Sequence, residues 1–266
     1  MRATKLYSTG DIRTVNVDVP SPAENEILIK VEAAGICGTD RHLYHGEFPS
    51  VPDKILGHEF SGIVVDSGKT DIAEGARVTC DPNTWCGACS QCRRGRVNLC
   101  VNNLATGIHR DGGFAEFCVF PASKAVVLPN EINPLYGAFC EPLACTLHGM
   151  DMGAVSEGET VLVIGGGVIG LMAVQLAKLS GAEVMLLTRS PEKQSLGLNI
   201  GADYAVDTES GVRNIWPDGA DLVVECAGVS ATVTMSHKLA RSGGRVVILG
   251  VISQGEKVPI EPFDML

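Results

Sequence analysis

Four cysteines, Cys86, Cys89, Cys92 and Cys100, follow one another in the spacing C-x2-C-x2-C-x7-C. Disulfides, an iron–sulfur cluster and a closed tetrahedral zinc site all use cysteines grouped in this way. The residues between them are turn formers and cations: Gly87, Ser90, Arg93, Arg94, Gly95 and Arg96. Two-residue gaps let neighbouring thiolates turn onto one ion, each at about 2.3 Å from it. The arginines would partly offset the net negative charge of a zinc tetrathiolate. Iron–sulfur ligation shares some of the spacing, but the other motifs give a one-electron carrier nothing to do.

A second, looser set of groups suits an open metal site. GICGTDRH holds Cys37, Thr39 and His42, GHE holds His58 and Glu59, and CEPL holds Glu141. One sulfur, one nitrogen and carboxylate oxygen, with a position left for water or substrate, are the donors of a catalytic zinc. Taken singly, each is unremarkable, since a lone histidine is usually satisfied in a core or loop and a lone cysteine is usually a small buried hydrophobe. That second reading is the expectation for Cys80, Cys118, Cys140, Cys145 and Cys226.

A third motif binds phosphates. Gly165-Gly166-Gly167-Val168-Ile169-Gly170 satisfies G-x-G-x-x-G. It follows a strand-like run and opens a helix-like one, as a dinucleotide fingerprint requires. Gly165 allows the tight turn, Gly167 the approach of a pyrophosphate, and Gly170 close helix–strand packing. The helix start, at Val168 and Ile169, offers free N–H groups to the phosphates. The next strand is expected to end in an acid that reads the adenosine ribose. It ends LLTRSPEK instead, with Thr188 in that place and Arg189 and Lys193 beyond it. A hydroxyl and two cations suit a 2′-phosphate, so NADP(H) is expected over NAD(H). Without that ligand, Arg189 and Lys193 would be a solvated helix face.

The chain around these motifs has 266 residues, 45% of them hydrophobic and 20% charged, with a formal net charge of -10. Such a charge gives no support for binding nucleic acid or an anionic membrane. The N-terminus is polar and alternating rather than signal-like, so a cytoplasmic location is expected and the thiols should be reduced, which disfavours disulfides. The apolar window 160–177 contains three consecutive glycines and reads as strand, turn and helix, not as a membrane span.

Two regions must position the motifs. Residues 1–148 are rich in short alternating runs, VNVDV, EILIKVEAA, FSGIVVDSG and GARVTCD, separated by Gly, Pro and Asp turns. They predict a compact β-rich domain or barrel. EPLACTLHGMDMGA reads as a helix. Residues 149–266 alternate strands (ETVLVI, EVMLLT, DYAVD, ADLVVECAG, GGRVVILGV) with helices, which predicts an α/β, doubly wound parallel sheet. That makes five strands where a full dinucleotide fold has six, so the chain is expected to be truncated at its C-terminus.

GICGTDRH, GHEFSG, CGACSQCRRGRVNLC, DGGFAEF, EPLACTLHG, VLVIGGGVIG and ECAG, in this order along nearly the whole chain, resemble the zinc-containing medium-chain dehydrogenases, the alcohol, sorbitol and threonine dehydrogenase family. The resemblance implies a GroES-like zinc-bearing domain over 1–148 and a Rossmann domain, incomplete, over 149–266. It implies two zinc ions per chain. Cys37, His58, Glu59 and Glu141 match the catalytic set, with either glutamate as direct ligand. Cys86, Cys89, Cys92 and Cys100 match the structural set. Thr39 and His42 match a proton relay for an alcohol that gives a hydride to the nicotinamide. The implied substrate is a secondary alcohol, with a polyol or sugar alcohol first because of EPLACTLHG. L-threonine is second because of GIHRDGGFAEF, and a short-chain alcohol third. A homo-oligomer, dimer or tetramer, is implied for a chain with the full C-terminus. The rival of another class is a truncated, inactive NADP-binding or structural relic, and the intact Cys37, His58, Glu59 and Glu141 set speaks against it.

Overall fold

The computed structural model describes residues 1–265. Its chain divides into two compact units, Met1–Glu141 and Pro142–Leu266. The change of pattern in the sequence placed the division at 148/149.

In the first unit β1 (Arg2–Ser8), β2 (Asp11–Asn16), β3 (Glu26–Gly35), α1 (Gly38–His45), β4 (Lys54–Ile55), β5 (Glu59–Asp66) and β6 (Arg77–Cys80) come first. They are followed by β7 (Asn83–Thr84), α2 (Ser90–Arg93), β8 (Leu104–Ala105), β9 (Phe117–Pro121), β10 (Ala125–Val127), α3 (Pro134–Ala138) and the start of α4 (Cys140–Gly153). A five-stranded antiparallel sheet runs β10-β6-β5-β3-β9, beside a three-stranded sheet β2-β1-β4 and the small pair β7-β8. Ile27, Ile29, Phe60, Val64, Val78, Cys80, Cys118 and Phe120 form the core of the larger sheet. The strand expected at VNVDV begins earlier, at Asp11, and β2 ends at Asn16; Val17 still exchanges backbone hydrogen bonds with Met1, at 2.9 and 2.7 Å.

Two features of this unit prepare a site. The antiparallel register of β3 and β5 ends with Gly35 opposite Glu59, which brings Cys37, two residues past β3, beside His58 and Glu59. The turn before His58 needs glycine. Gly57 has φ 92°, and a Cβ there would lie 2.4 Å from the Phe114 ring. The DGGF segment straps this turn in place, with Gly113 N donating to Gly57 O at 2.8 Å and Phe114 N to Leu56 O at 2.8 Å.

The second unit contains β11 (Thr160–Ile164), α5 (Val168–Leu179), β12 (Glu183–Leu187), α6 (Pro191–Asn199), β13 (Tyr204–Val206), α7 (Glu209–Ile215), β14 (Ala220–Glu225), α8 (Ser230–Leu239) and β15 (Ala240–Ile248). All neighbouring strands are parallel, in the order β13-β12-β11-β14-β15. This is the doubly wound sheet that alternation predicted. Val161 and Val163 pack with Ala173, Val174 and Ala177 of α5 on one face. Leu162 and Ile164 pack with Val212 and Trp216 on the other. Burial on both faces is why these strands read as unbroken apolar runs. Among the described residues no helix is long and apolar enough to cross a membrane, and 160–177 is the strand, turn and helix expected.

The glycine turn joins β11 to α5. A Cβ at Gly170 would stand 1.8 Å from the carbonyl oxygen of Gly165, so any side chain there must push the turn off the helix. Gly170→Ala is therefore expected to lower the thermal midpoint by about 5 °C or more, as backbone overpacking of this kind costs a few kcal/mol. An unchanged melting curve would contradict this packing.

Candidate metal and active site

Cys37 caps the N-terminus of α1, with φ -80° and ψ 159°. Its own N–H donates to Asp40 Oδ2 at 2.8 Å. The pair is half of a capping box, which holds Cys37 at the helix start. Thr39 and His42 follow on the same helix, three residues apart and so on one face. His58 is only 6% exposed and immediately precedes β5, whose first residue is Glu59. The ligand atoms of Cys37, His58 and Glu59 all lie within 4.8 Å of one another. Glu141, in the first turn of α4, is outside that trio, yet its charge acts on both His58 and Glu59.

The electrostatics of the trio call for a cation. Burial by itself disfavours a charged His58. The hydrogen bond to Cys37 and the negative charges of Cys37, Asp40 and Glu141 outweigh it and raise the imidazole to about 9. Burial, with Glu141 adding to it, pushes the Glu59 carboxyl up. Asp40, 5% exposed, is also pushed up by burial. His58 Nδ1 faces Asp40 Oδ1 at 3.8 Å, and neither atom has a hydrogen-bond partner among the described residues. A metal-bound histidine commonly aims its second nitrogen at a carboxylate in this way, with the first nitrogen left for the ion. The donor set S, N and O with a carboxylate behind the imidazole fits zinc. Sequence reasoning passed over Asp40. The signal was there: C-G-T-D has an acid three residues after a capping position.

The second cluster is local. Cys86, Cys89, Cys92 and Cys100 also bring their sulfurs within 4.8 Å of one another. Cys100 Sγ and Cys86 Sγ are 3.6 Å apart, far beyond a disulfide bond and close to the roughly 3.8 Å edge of a zinc tetrathiolate built from 2.3 Å bonds. Backbone N–H groups point at the sulfurs: Cys86 N at Cys100 Sγ (3.3 Å), Cys89 N at Cys86 Sγ (3.4 Å) and Asn102 N at Cys100 Sγ (3.4 Å). Hydrogen bonds from the N–H groups of Cys92 and Val101 bring the Cys89 thiol down to about 6, whereas burial and the neighbouring sulfurs push the Cys92 thiol up to about 12. The lobe is tied to the sheet by Lys124, which pairs with Asp81 at 2.7 Å and sits 3.0 Å from the centre of the Trp85 ring.

The remaining cysteines divide. Cys80 and Cys118 are buried in the core, as expected of small hydrophobes, and burial raises both thiols, Cys118 to about 12. Cys145 does not follow the expectation and is exposed, although Pro142 and Gly149, three residues before it and four after it on the same helix face, are buried.

In the second unit, the start of α5 at Val168 and Ile169 lies directly after the turn, with Gly167 as its N-cap. Thr188 follows β12, and Ser190 caps α6 by accepting from Lys193 N at 3.3 Å. A Cβ at Gly166 would lie 2.9 Å from Lys193 Cβ and 3.2 Å from Thr188 Oγ1. Thr188 and Lys193 thus border the glycine turn. Arg189 and Lys193 are exposed, and neither side chain has an ion-pair partner among the described residues.

Cys89→Ser removes one of the four gathered sulfurs. It is expected to remove one equivalent of zinc per chain and to lower the thermal midpoint, and metal analysis of wild type and variant checks this. Equal zinc contents would show that the lobe holds no ion.

Comparison with known proteins agrees with this geometry. Residues 23–130 match the alcohol dehydrogenase GroES-like domain, and residues 168–266 match the zinc-binding dehydrogenase domain. Sorbitol dehydrogenase of Halalkalibacterium halodurans is 34% identical over 94% of this chain and 76% of its own length. D-arabinitol dehydrogenase 1 of Uromyces fabae is 35% identical over 97% of this chain and 78% of its own length. A zinc-binding dehydrogenase of Sinorhizobium meliloti 1021, solved bound to NADP, is 55% identical, with a TM-score of 0.95 over 99% of this chain and 80% of that one. With two motif-bearing units, two gathered donor sets and relatives of this similarity along nearly its whole length, the chain belongs to the zinc-containing medium-chain dehydrogenases, the family of alcohol and polyol dehydrogenases.

Proposed function

We propose that the protein oxidises a secondary alcohol, a polyol or sugar alcohol first, with NADP as hydride acceptor, or runs the reverse reduction. The observation that carries this reading is the Cys37, His58 and Glu59 trio beside a helix that presents Thr39 and His42 on one face. The sorbitol and arabinitol enzymes among the relatives support the polyol, and the NADP bound by the Sinorhizobium protein supports the cofactor.

Cys37, His58 and Glu59 would hold a catalytic zinc, and Glu141, whose charge acts on His58 and Glu59, is the alternative carboxylate ligand. When bound, zinc supplies Lewis-acid polarisation of the alcohol oxygen, and the nicotinamide supplies the hydride acceptor. Asp40 faces Nδ1 of the His58 ring, which leaves Nε2 for the ion. Thr39 accepts the hydroxyl proton and His42 carries it on. Cys86, Cys89, Cys92 and Cys100 would hold a second, closed zinc that stiffens the lobe. Gly165, Gly167 and Gly170 shape the turn that receives the pyrophosphate. Thr188, Arg189 and Lys193 receive the 2′-phosphate, the threonine as hydroxyl donor and the cations as charge partners.

Absorbance at 340 nm, with polyols, L-threonine and simple alcohols against NADP and NAD, tests the reading. Reduction of NADP by a polyol is the expected result. Turnover of L-threonine alone would move the substrate class, and a strong preference for NAD would overturn the cofactor assignment. Lys193→Ala is expected to raise the KM for NADP about tenfold, the loss of one charge-assisted contact, with the KM for NAD unchanged. His58→Ala is expected to abolish turnover and one zinc equivalent together.

A further inference from the structure

Helix α1 ends in a glycine closure made by the backbone alone. Gly46, with φ 72°, donates to Leu43 O at 3.2 Å, and Glu47 N donates to His42 O at 2.9 Å. Over this closure lies a second bond between the same two residues. The Nδ1 of His42 stands 2.7 Å from Glu47 Oε2. The helix end is already closed without it, so what the side-chain bond adds is a constraint on the imidazole.

That constraint has a chemical consequence. An ionised carboxylate only accepts hydrogen bonds. In the neutral ring Nδ1 must therefore carry the proton, and Nε2 is left with its lone pair free. An unrestrained neutral histidine in water prefers the opposite tautomer. His42 also shares a helix face with Thr39, three residues before it. We propose that Glu47 is a positioning residue for His42, which holds Nε2 as the proton acceptor of the relay.

This inference rests on the relay reading above. When the alcohol is oxidised, its O–H bond breaks and the proton handed on by Thr39 forms a bond with the Nε2 lone pair. The imidazolium keeps its Nδ1–H on Glu47, whose negative charge offsets the new positive one. Water then takes the Nε2 proton and restores the starting tautomer. Solvent can reach both groups, since the side chains of His42 and Glu47 are 21% and 41% exposed. The ordinary alternative is a clasp that only stabilises the helix end.

Two measurements separate these roles. The first needs no activity: nitrogen-15 NMR of the His42 ring should show Nδ1 protonated in the wild-type chain and Nε2 protonated in Glu47→Ala. An Nε2–H tautomer in the wild type overturns the proposal. The second is kinetic. Glu47→Ala should lower kcat about tenfold, a fraction of what a general base contributes, with KM for the alcohol and zinc content unchanged. Glu47→Gln, whose amide oxygen can still accept from Nδ1–H, should restore part of that loss. In a His42→Ala background, Glu47→Ala should cost nothing further, because the two act as one unit. A full additional loss in that background, or a fall in thermal midpoint with unchanged kcat, supports the clasp and overturns the proposal. The underlying reading fails differently: unchanged kcat in His42→Ala removes the relay, and the role of Glu47 with it. A lowered kcat in His42→Ala beside an unchanged one in Glu47→Ala removes Glu47 alone.

Discussion

A buried imidazole stands among Cys37, Asp40, Glu59 and Glu141, and the first unit is arranged around that concentration of negative charge. Anionic groups taken out of water cost free energy unless something positive joins them. Here burial alone would drive the proton off His58, yet its neighbours raise it to about 9. The same field that holds a proton on the ring favours a divalent cation in its place. The register that sets Gly35 against Glu59, the capping pair of Cys37 and Asp40, and the DGGF strap on Gly57 all converge on this point.

The two cysteine-bearing sites follow opposite rules. The lobe is built from residues close in sequence, and its sulfurs are aimed by backbone N–H groups of the same short segment. Four sulfurs leave no room for a substrate. The other set, Cys37, His58 and Glu59, comes from the end of β3 and the start of β5, and Glu141 in the first turn of α4 acts on it by charge. Its assembly therefore depends on the whole sheet, whereas the lobe depends mainly on itself. The cation–π and ion-pair anchor through Lys124 links the lobe to the sheet that the open site needs.

Legibility in the sequence followed burial and range. The strands of the second unit were plain because both their faces are covered, so Val161, Leu162, Val163 and Ile164 form one apolar run. VNVDV misled because its alternation runs on to Val19, two residues past Val17, which bonds back to Met1. Cys145 misled because an apolar neighbourhood in sequence is not one in space. Asp40 and Glu47 were missed because each acts through a histidine. A carboxylate near a helix end has many ordinary uses, and only the 3.8 Å and 2.7 Å approaches to His58 and His42 distinguish these two.

By itself the sequence determined the family's order of motifs, the parallel sheet, the closed cysteine lobe and the departure at Thr188. Each of these is encoded in short-range spacing or in periodicity, which survive without coordinates. Tertiary structure alone decided that Cys37, His58 and Glu59 form the close trio while Glu141 stands outside it and acts by charge. It also decided which nitrogen of His58 faces Asp40 and which nitrogen of His42 faces Glu47. The reason is geometric: a donor's direction depends on strand register and helix phase, and neither is written in the residue types.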